Sequence, residues 1–147
     1  MSWVVIAVGI IAGTAIVLQS TFSATLSGFI GRWQTAFLVH LVGTFAALVP
    51  LYLFRHEANW PAWDKAPWYL YLGGVIGVII IFTVAYTVSK AGVTGGISLI
   101  IASQLIITLL IDHFGWFGVD VRPVNWVKLA GVAFLFVGTW LVLSKQT

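Results

Sequence analysis

Residues 68–111 read WYLYLGGVIGVIIIFTVAYTVSKAGVTGGISLIIASQLIITLLI, and Lys90 is the only charged side chain among them. A helix crossing the hydrocarbon core of a bilayer needs roughly 20 apolar residues, each rising about 1.5 Å. This stretch therefore holds two crossings, Trp68 to Val88 and about Gly92 to Ile111, joined at Lys90. Working outward, three more runs qualify. One goes from Trp3 to about Leu26, losing apolar character after Leu18; one from Gln34 to Phe54; and one from Trp126 to Leu143. The predicted fold is an all-α integral membrane protein, a single domain over residues 1–147 with five transmembrane helices at about 3–26, 34–54, 68–88, 92–111 and 126–143. The joints carry breakers or charges: Gly28, Gly31 and Arg32; Arg55 through Pro67; Lys90; and Asp112 to Asn125 with Gly115, Gly118 and Pro123. None is long enough to fold separately. The first run does not read as a cleaved signal peptide, because no Lys or Arg precedes it and four more spans follow.

Composition agrees. The chain is 61% hydrophobic and 7% charged, against about 25% charged residues in a soluble domain. So few charges cannot cover a water-facing surface, and the solvent for most of the exterior is lipid. Eight Trp residues suit the level where acyl chains meet headgroups. A net charge of +3 without any basic run gives no footprint for nucleic acid. With no Cys, disulfides and thiolate-bound metal are excluded.

Five spans put the ends of the helical domain on opposite faces. One face then holds Arg55, Lys65, Arg122 and Lys128, and the other Arg32, Lys90 and Lys145, four against three. Lys and Arg orient a membrane protein only through an excess on the cytoplasmic side, and one residue is almost no excess. Two readings stay open on charge alone. The chain inserts one way, fixed by a partner or by lipid, or it inserts both ways and pairs antiparallel.

Several segments carry a family resemblance. The run GGISLIIASQLIITLLIDHFGWFGVDVRPVNWVKLAGVAFLFVGTWLVLSK from Gly95 resembles the closing half of a drug/metabolite transporter repeat. With Gln19 in LQSTFSATL, HLVGT (His40 to Thr44), LGG with a following Gly (Leu72 to Gly77), SQL (Ser103 to Leu105) and DHFGWFG (Asp112 to Gly118), the whole chain resembles the small YdcZ-like family of five-helix inner-membrane exporters. The DHFGxFG run is the specific part. The family tends to carry Asn four residues after the Gln; Ser23 stands there, so no amide role is implied at that position. The resemblance implies one half of a ten-helix inverted-repeat transporter, the other half being a second copy or a related five-helix chain. Four-helix multidrug exporters of the superfamily use an acid within the first span, and here that span has none.

In lipid, helices associate through close backbone approach, dispersion and hydrogen bonds. Gly9 and Gly13 form a GxxxG pair, as do Gly73 and Gly77; Gly131 and Gly138 are seven apart on one face of the last span. Family analogy assigns Gly131 and Gly138 to the dimer interface.

Polar side chains inside spans are costly without partners. Ser and Thr satisfy themselves on the carbonyl one turn back; amides and imidazoles do not. Gln19, His40, Tyr86 and Gln104 are therefore the candidate substrate-binding residues, with Phe22, Trp33 and Phe37 available as an aromatic wall. For Gln19, His40 and Gln104 the alternative is an interhelical hydrogen bond typically worth about 0.6 kcal/mol and at most about 2. Asp112 ends its helix where the macrodipole is negative, and Gln104, Thr108 and Asp112 form a stripe at four-residue spacing. Asp112 reads either as an interfacial carboxylate held by the following turn, Arg122 or Lys128, or as an ion-coupling group. His40 is the second coupling candidate, because an imidazole changes charge near neutral pH.

Enzyme chemistry has little support. No nucleophile or metal spacing is present, and the adjacent Asp112 and His113 diverge on a helix by about 100°. No cofactor is expected. His56, Glu57 and Asp64 sit in a Trp-rich, Pro-bounded loop and read as interfacial anchoring. The expectation is a multi-pass inner-membrane exporter of a small molecule or cation, an antiparallel dual-topology homodimer or a dimer with a related chain, working by alternating access. A passive channel or a non-transporting interaction subunit is the alternative.

Overall fold

The computed structural model describes residues 2–56 and 65–144, and every regular element among them is helical. Glu57, Asp64 and Lys145, used above in the readings of loop and charge, lie outside the described residues. Among the described residues, four helices are long and apolar enough to cross a membrane. They are α1 (Trp3–Ile30), α2 (Arg32–Leu53), α3 (Gly73–Phe114, preceded by a 3-10 turn over Trp68–Leu72) and α4 (Trp126–Ser144). Helices are what lipid demands, since each satisfies its own backbone N–H and C=O groups. The chain divides into two compact units, residues 1–86 and 87–147.

In the first unit, α1 runs four residues past its expected end. Two of the small polar residues after Leu18 satisfy their hydroxyls within the helix, so they do not interrupt it: Thr21 Oγ1 donates to Val17 O at 2.8 Å and Ser27 Oγ to Ala24 O at 2.7 Å. A single residue, Gly31, then separates α1 from α2. Its φ of 90° is left-handed territory open to glycine. Its N–H donates to Ser27 O (3.0 Å), closing α1, and its carbonyl accepts from Thr35 N–H (3.1 Å) and Thr35 Oγ1 (2.8 Å), opening α2. The two helices meet along small side chains: Ser20 and Ser23 are buried on α1, and Thr35 and Ala36 on α2. Small residues let backbones approach closely where burial of apolar surface gives no driving force. Farther along, Trp33 stacks tilted on Phe82 at 4.3 Å.

In the second unit, α3 contains a break. Gly92 has φ 68° and ψ 169°, outside helical space. On a straight helix, residues eight apart stand about 12 Å from each other. Here a Cβ built on Gly96 would lie 3.0 Å from Val88 Cα and 3.2 Å from Val88 N. The chain therefore folds back at Gly92, and Gly96 is the residue whose lack of a side chain permits the contact. Thr139 of α4 is buried and its Oγ1 donates to Ser98 O at 3.4 Å, which docks α4 on the part of α3 that follows the break.

The DHFGWFG segment ends α3 and starts the return to α4. Gly115 is left-handed (φ 63°), Phe117 has φ 62° and Gly118 φ 83°. Phe114 stacks on Trp116 at 5.4 Å. The Asp112 carbonyl accepts from Arg122 N–H at 2.7 Å, and His113 Nδ1 accepts from Val124 N–H at 3.3 Å. Asn125 Oδ1 caps α4 by accepting from Lys128 N–H at 2.9 Å. Lys128 Nζ donates to Arg122 O and Pro123 O, each at 3.3 Å.

Candidate substrate site

His40 stands at the centre of the polar chemistry in the first unit. Its Nδ1 lies 2.8 Å from Ala36 O, one turn back on α2. A carbonyl can only accept, so Nδ1 carries a proton and donates, which leaves Nε2 as a bare acceptor in the neutral ring. Thr44 Oγ1 donates to His40 O at 2.8 Å. Nε2 reaches toward α3 at Gly77, where a Cβ would stand only 2.8 Å from it. Gly77 therefore opens the space the imidazole occupies.

Two cavities flank this point. One, of about 480 Å³, is lined by Gln19 of α1, by Val39, His40, Gly43, Thr44 and Ala47 of α2, and by Gly77, Ile80 and Ile81 of α3. The other, of about 650 Å³, lies between α1 and α2 and is almost wholly apolar, with Leu18, Phe22, Leu26, Leu38 and Val42 in its wall. The two share Gln19, Val39 and Gly43. Ser23 also lines the apolar cavity. It is 1% exposed, and its Oγ has no hydrogen-bond partner among the described residues. Most spanning hydroxyls here bond the carbonyl one turn back, as Thr14, Thr21, Thr35, Thr44 and Thr108 do. Ser23 does not, and a buried unsatisfied hydroxyl costs about 1–3 kcal/mol.

Of the four residues expected to bind substrate, the structure brings Gln19 and His40 to one cavity. Tyr86 belongs to the same unit but lies under the Arg32 guanidinium, 4.7 Å from ring centroid to Cζ. Gln104 is exposed in the second unit and lines a groove with Ser103, Ile107 and Thr108. Of the aromatic wall, Phe22 lines the apolar cavity, while Trp33 and Phe37 line a separate groove. Asp112 is half-buried and borders a cavity of about 370 Å³ with Asp120 and Arg122. Among the described residues no three His, Asp or Glu side chains converge as metal ligands do.

The glycine pairs divide sharply. Gly77 meets a side chain of its own chain, whereas a Cβ at Gly9, Gly13, Gly73, Gly131 or Gly138 would meet nothing within 4 Å. Sequence reasoning missed two participants. The sequence offers Gly77 only as one of a GxxxG packing pair, and Ser23 only as a departure from a family pattern. The signal for Gly77 was thin, since spacing does not say which side chain faces a glycine. That for Ser23 was its four-residue step from Gln19, which sets both on one face of α1.

No solved structure matches the chain. "Inner membrane protein YdcZ" of Escherichia coli strain K12 is 27% identical over 139 residues, covering 93% of each chain. The family model described as "Putative inner membrane exporter, YdcZ" matches residues 4–141. With that match across nearly its whole length, and with its long apolar helices, the chain belongs to the YdcZ family of exporters and is a multi-pass protein of the inner membrane.

Proposed function

We propose that the chain is a five-span half-transporter that exports a small molecule by alternating access as an antiparallel dimer. The observation that carries this reading is the cavity holding Gln19 and His40, a polar site set into an otherwise apolar helix wall. The break at Gly92 supports the five-span count. Unbroken, the 42 residues of α3 would extend about 63 Å, twice the hydrocarbon thickness; folded back, its two parts match one crossing each. Five spans with four cationic side chains against three leave insertion nearly unbiased. The open glycine faces, foremost Gly131 and Gly138 on α4, are where a second chain would approach.

Coupling is assigned to His40, an imidazole within α2, and to Asp112, the acidic side chain near the end of α3. Topology reporters fused to the C-terminus test the dimer. Signal from both compartments is expected, and strictly one-sided signal overturns the dual-topology homodimer. In reconstituted vesicles, Asp112→Asn is expected to lower proton-coupled transport, and full activity with unchanged pH dependence removes Asp112 from the mechanism. Flux that ignores every imposed ion gradient would mean a passive channel.

A further inference from the structure

We infer that the substrate is an uncharged amphipathic molecule bearing an O–H or N–H group, and that its donor competes with a proton for Nε2 of His40. The inference rests on the exporter reading and deepens it.

The charge class follows from the lining. Around His40, α1 contributes Gln19, α2 contributes Thr44, and α3 contributes Gly77, Ile80 and Ile81. Apart from His40 itself, no titratable or charged side chain lines the cavity among the described residues. A cation entering here would lose its hydration without gaining a carboxylate, and a desolvated charge without a counter-charge is strongly disfavoured. An anion would meet a neutral ring whose Nε2 is an acceptor, lone pair against lone pair. An O–H or N–H donor is the group that suits it. Gln19 supplies a second donor and acceptor beside it.

The shape class follows from the neighbouring space. The polar cavity shares Gln19, Val39 and Gly43 with the apolar groove between α1 and α2. A molecule with its head at His40 lays its apolar body along Leu18, Phe22 and Leu38. There it passes the buried, unpartnered Ser23 hydroxyl, about 6 Å along α1 from Gln19. Ser23 is thus a second anchor for a polar atom on the body of the substrate.

Exchange is the consequence. Nε2 has one lone pair, because the Ala36 carbonyl fixes the proton of the neutral ring on Nδ1. When a proton arrives at Nε2, the ring becomes a cation with two N–H donors and the substrate donor loses its acceptor; when substrate binds, the proton has left to water. One atom thereby holds either cargo, which is the requirement for outward transport driven by inward proton movement.

The test uses the full chain, purified in detergent, and tritiated phenylpropanol as the probe. Phenylpropyl methyl ether, phenylpropyl sulfonate and phenylpropyl trimethylammonium serve as competitors of matched body. Saturable binding of the alcohol is expected at pH 8, with each competitor weaker than unlabelled alcohol by about tenfold, the loss of one hydrogen bond to a buried acceptor. Binding should weaken on acidification. His40→Gln should abolish that pH dependence, Gly77→Leu should weaken binding with His40 intact, and Ser23→Ala should weaken it without altering the pH dependence. An ionic competitor that outperforms the alcohol while remaining sensitive to His40→Gln overturns the substrate class and leaves the site standing. Absence of saturable binding, or binding indifferent to Gln19→Ala and His40→Gln alike, overturns the site and this inference, while the transport assay in reconstituted vesicles decides the exporter reading separately.

Discussion

Ser23 and Gly77 make opposite predictions from those of packing residues. Ser23→Ala removes a hydroxyl that is buried without a partner, so the substrate-free protein should gain about 1 kcal/mol of stability. A higher Tm in detergent together with weaker substrate binding is the expected pair of results; a lower Tm would mean that the hydroxyl has a structural partner. At Gly77, any side chain enters the space of His40 Nε2. Gly77→Leu should cut transport at least about tenfold, the effect of losing one well-placed hydrogen bond, while expression and helicity by circular dichroism stay normal. Gln19 and His40 stand out in the sequence because an amide or imidazole within a span demands an explanation, and both line one cavity. The contributions of Ser23 and Gly77 were not, because one depends on a hydrogen bond that fails to form and the other on which ring faces a missing side chain.

At the scale of elements, the helical, apolar character of the described chain was legible from apolar length. The five expected spans appear as four long helices, α3 covering the stretch that reads as two, and the helix ends were less legible still. The joint near Lys90 lies two residues from the actual break at Gly92, since a lone cation marks a surface but positive φ marks the turn. The region expected to begin a span at Trp68 opens with a 3-10 turn after Pro67. The DHFGWFG run, the most specific sequence signature, reads in the structure as a clamp: two left-handed glycines, stacked Phe114 and Trp116, and hydrogen bonds from Arg122 and Val124 back to the end of α3. Gly115→Ala places a Cβ 2.7 Å from Val121 Cγ2 and 3.2 Å from Val119 O, on a backbone that itself disfavours L side chains by about 1–2 kcal/mol. A clear drop in Tm with unchanged substrate affinity of the surviving folded protein is expected. If affinity falls in proportion instead, the segment belongs to the binding machinery rather than to the frame.

The whole molecule presents apolar side chains outward along every helix, with Trp3, Phe29, Trp126 and Phe134 among the most exposed. Lipid covers such a surface, and in the proposed dimer a second chain would cover it where backbones can come close. Gly131→Leu with Gly138→Leu fills the open face of α4 and should lower the dimer yield on cross-linking; unchanged yield moves the interface elsewhere. Composition made the membrane class plain at this scale, but which glycine face stays open was invisible, because it depends on what the rest of the chain leaves uncovered. The connection at Gly31 has a consequence of another kind. One residue closes α1 and opens α2, so the joint has no slack, and the angular phase of the second helix is locked to the first like meshed gears. One extra residue inserted after Gly31 would advance α2 by about 100° and swing His40 away from Gln19 and Gly77. Length at this joint, rather than the identity of any side chain, is what keeps the site assembled.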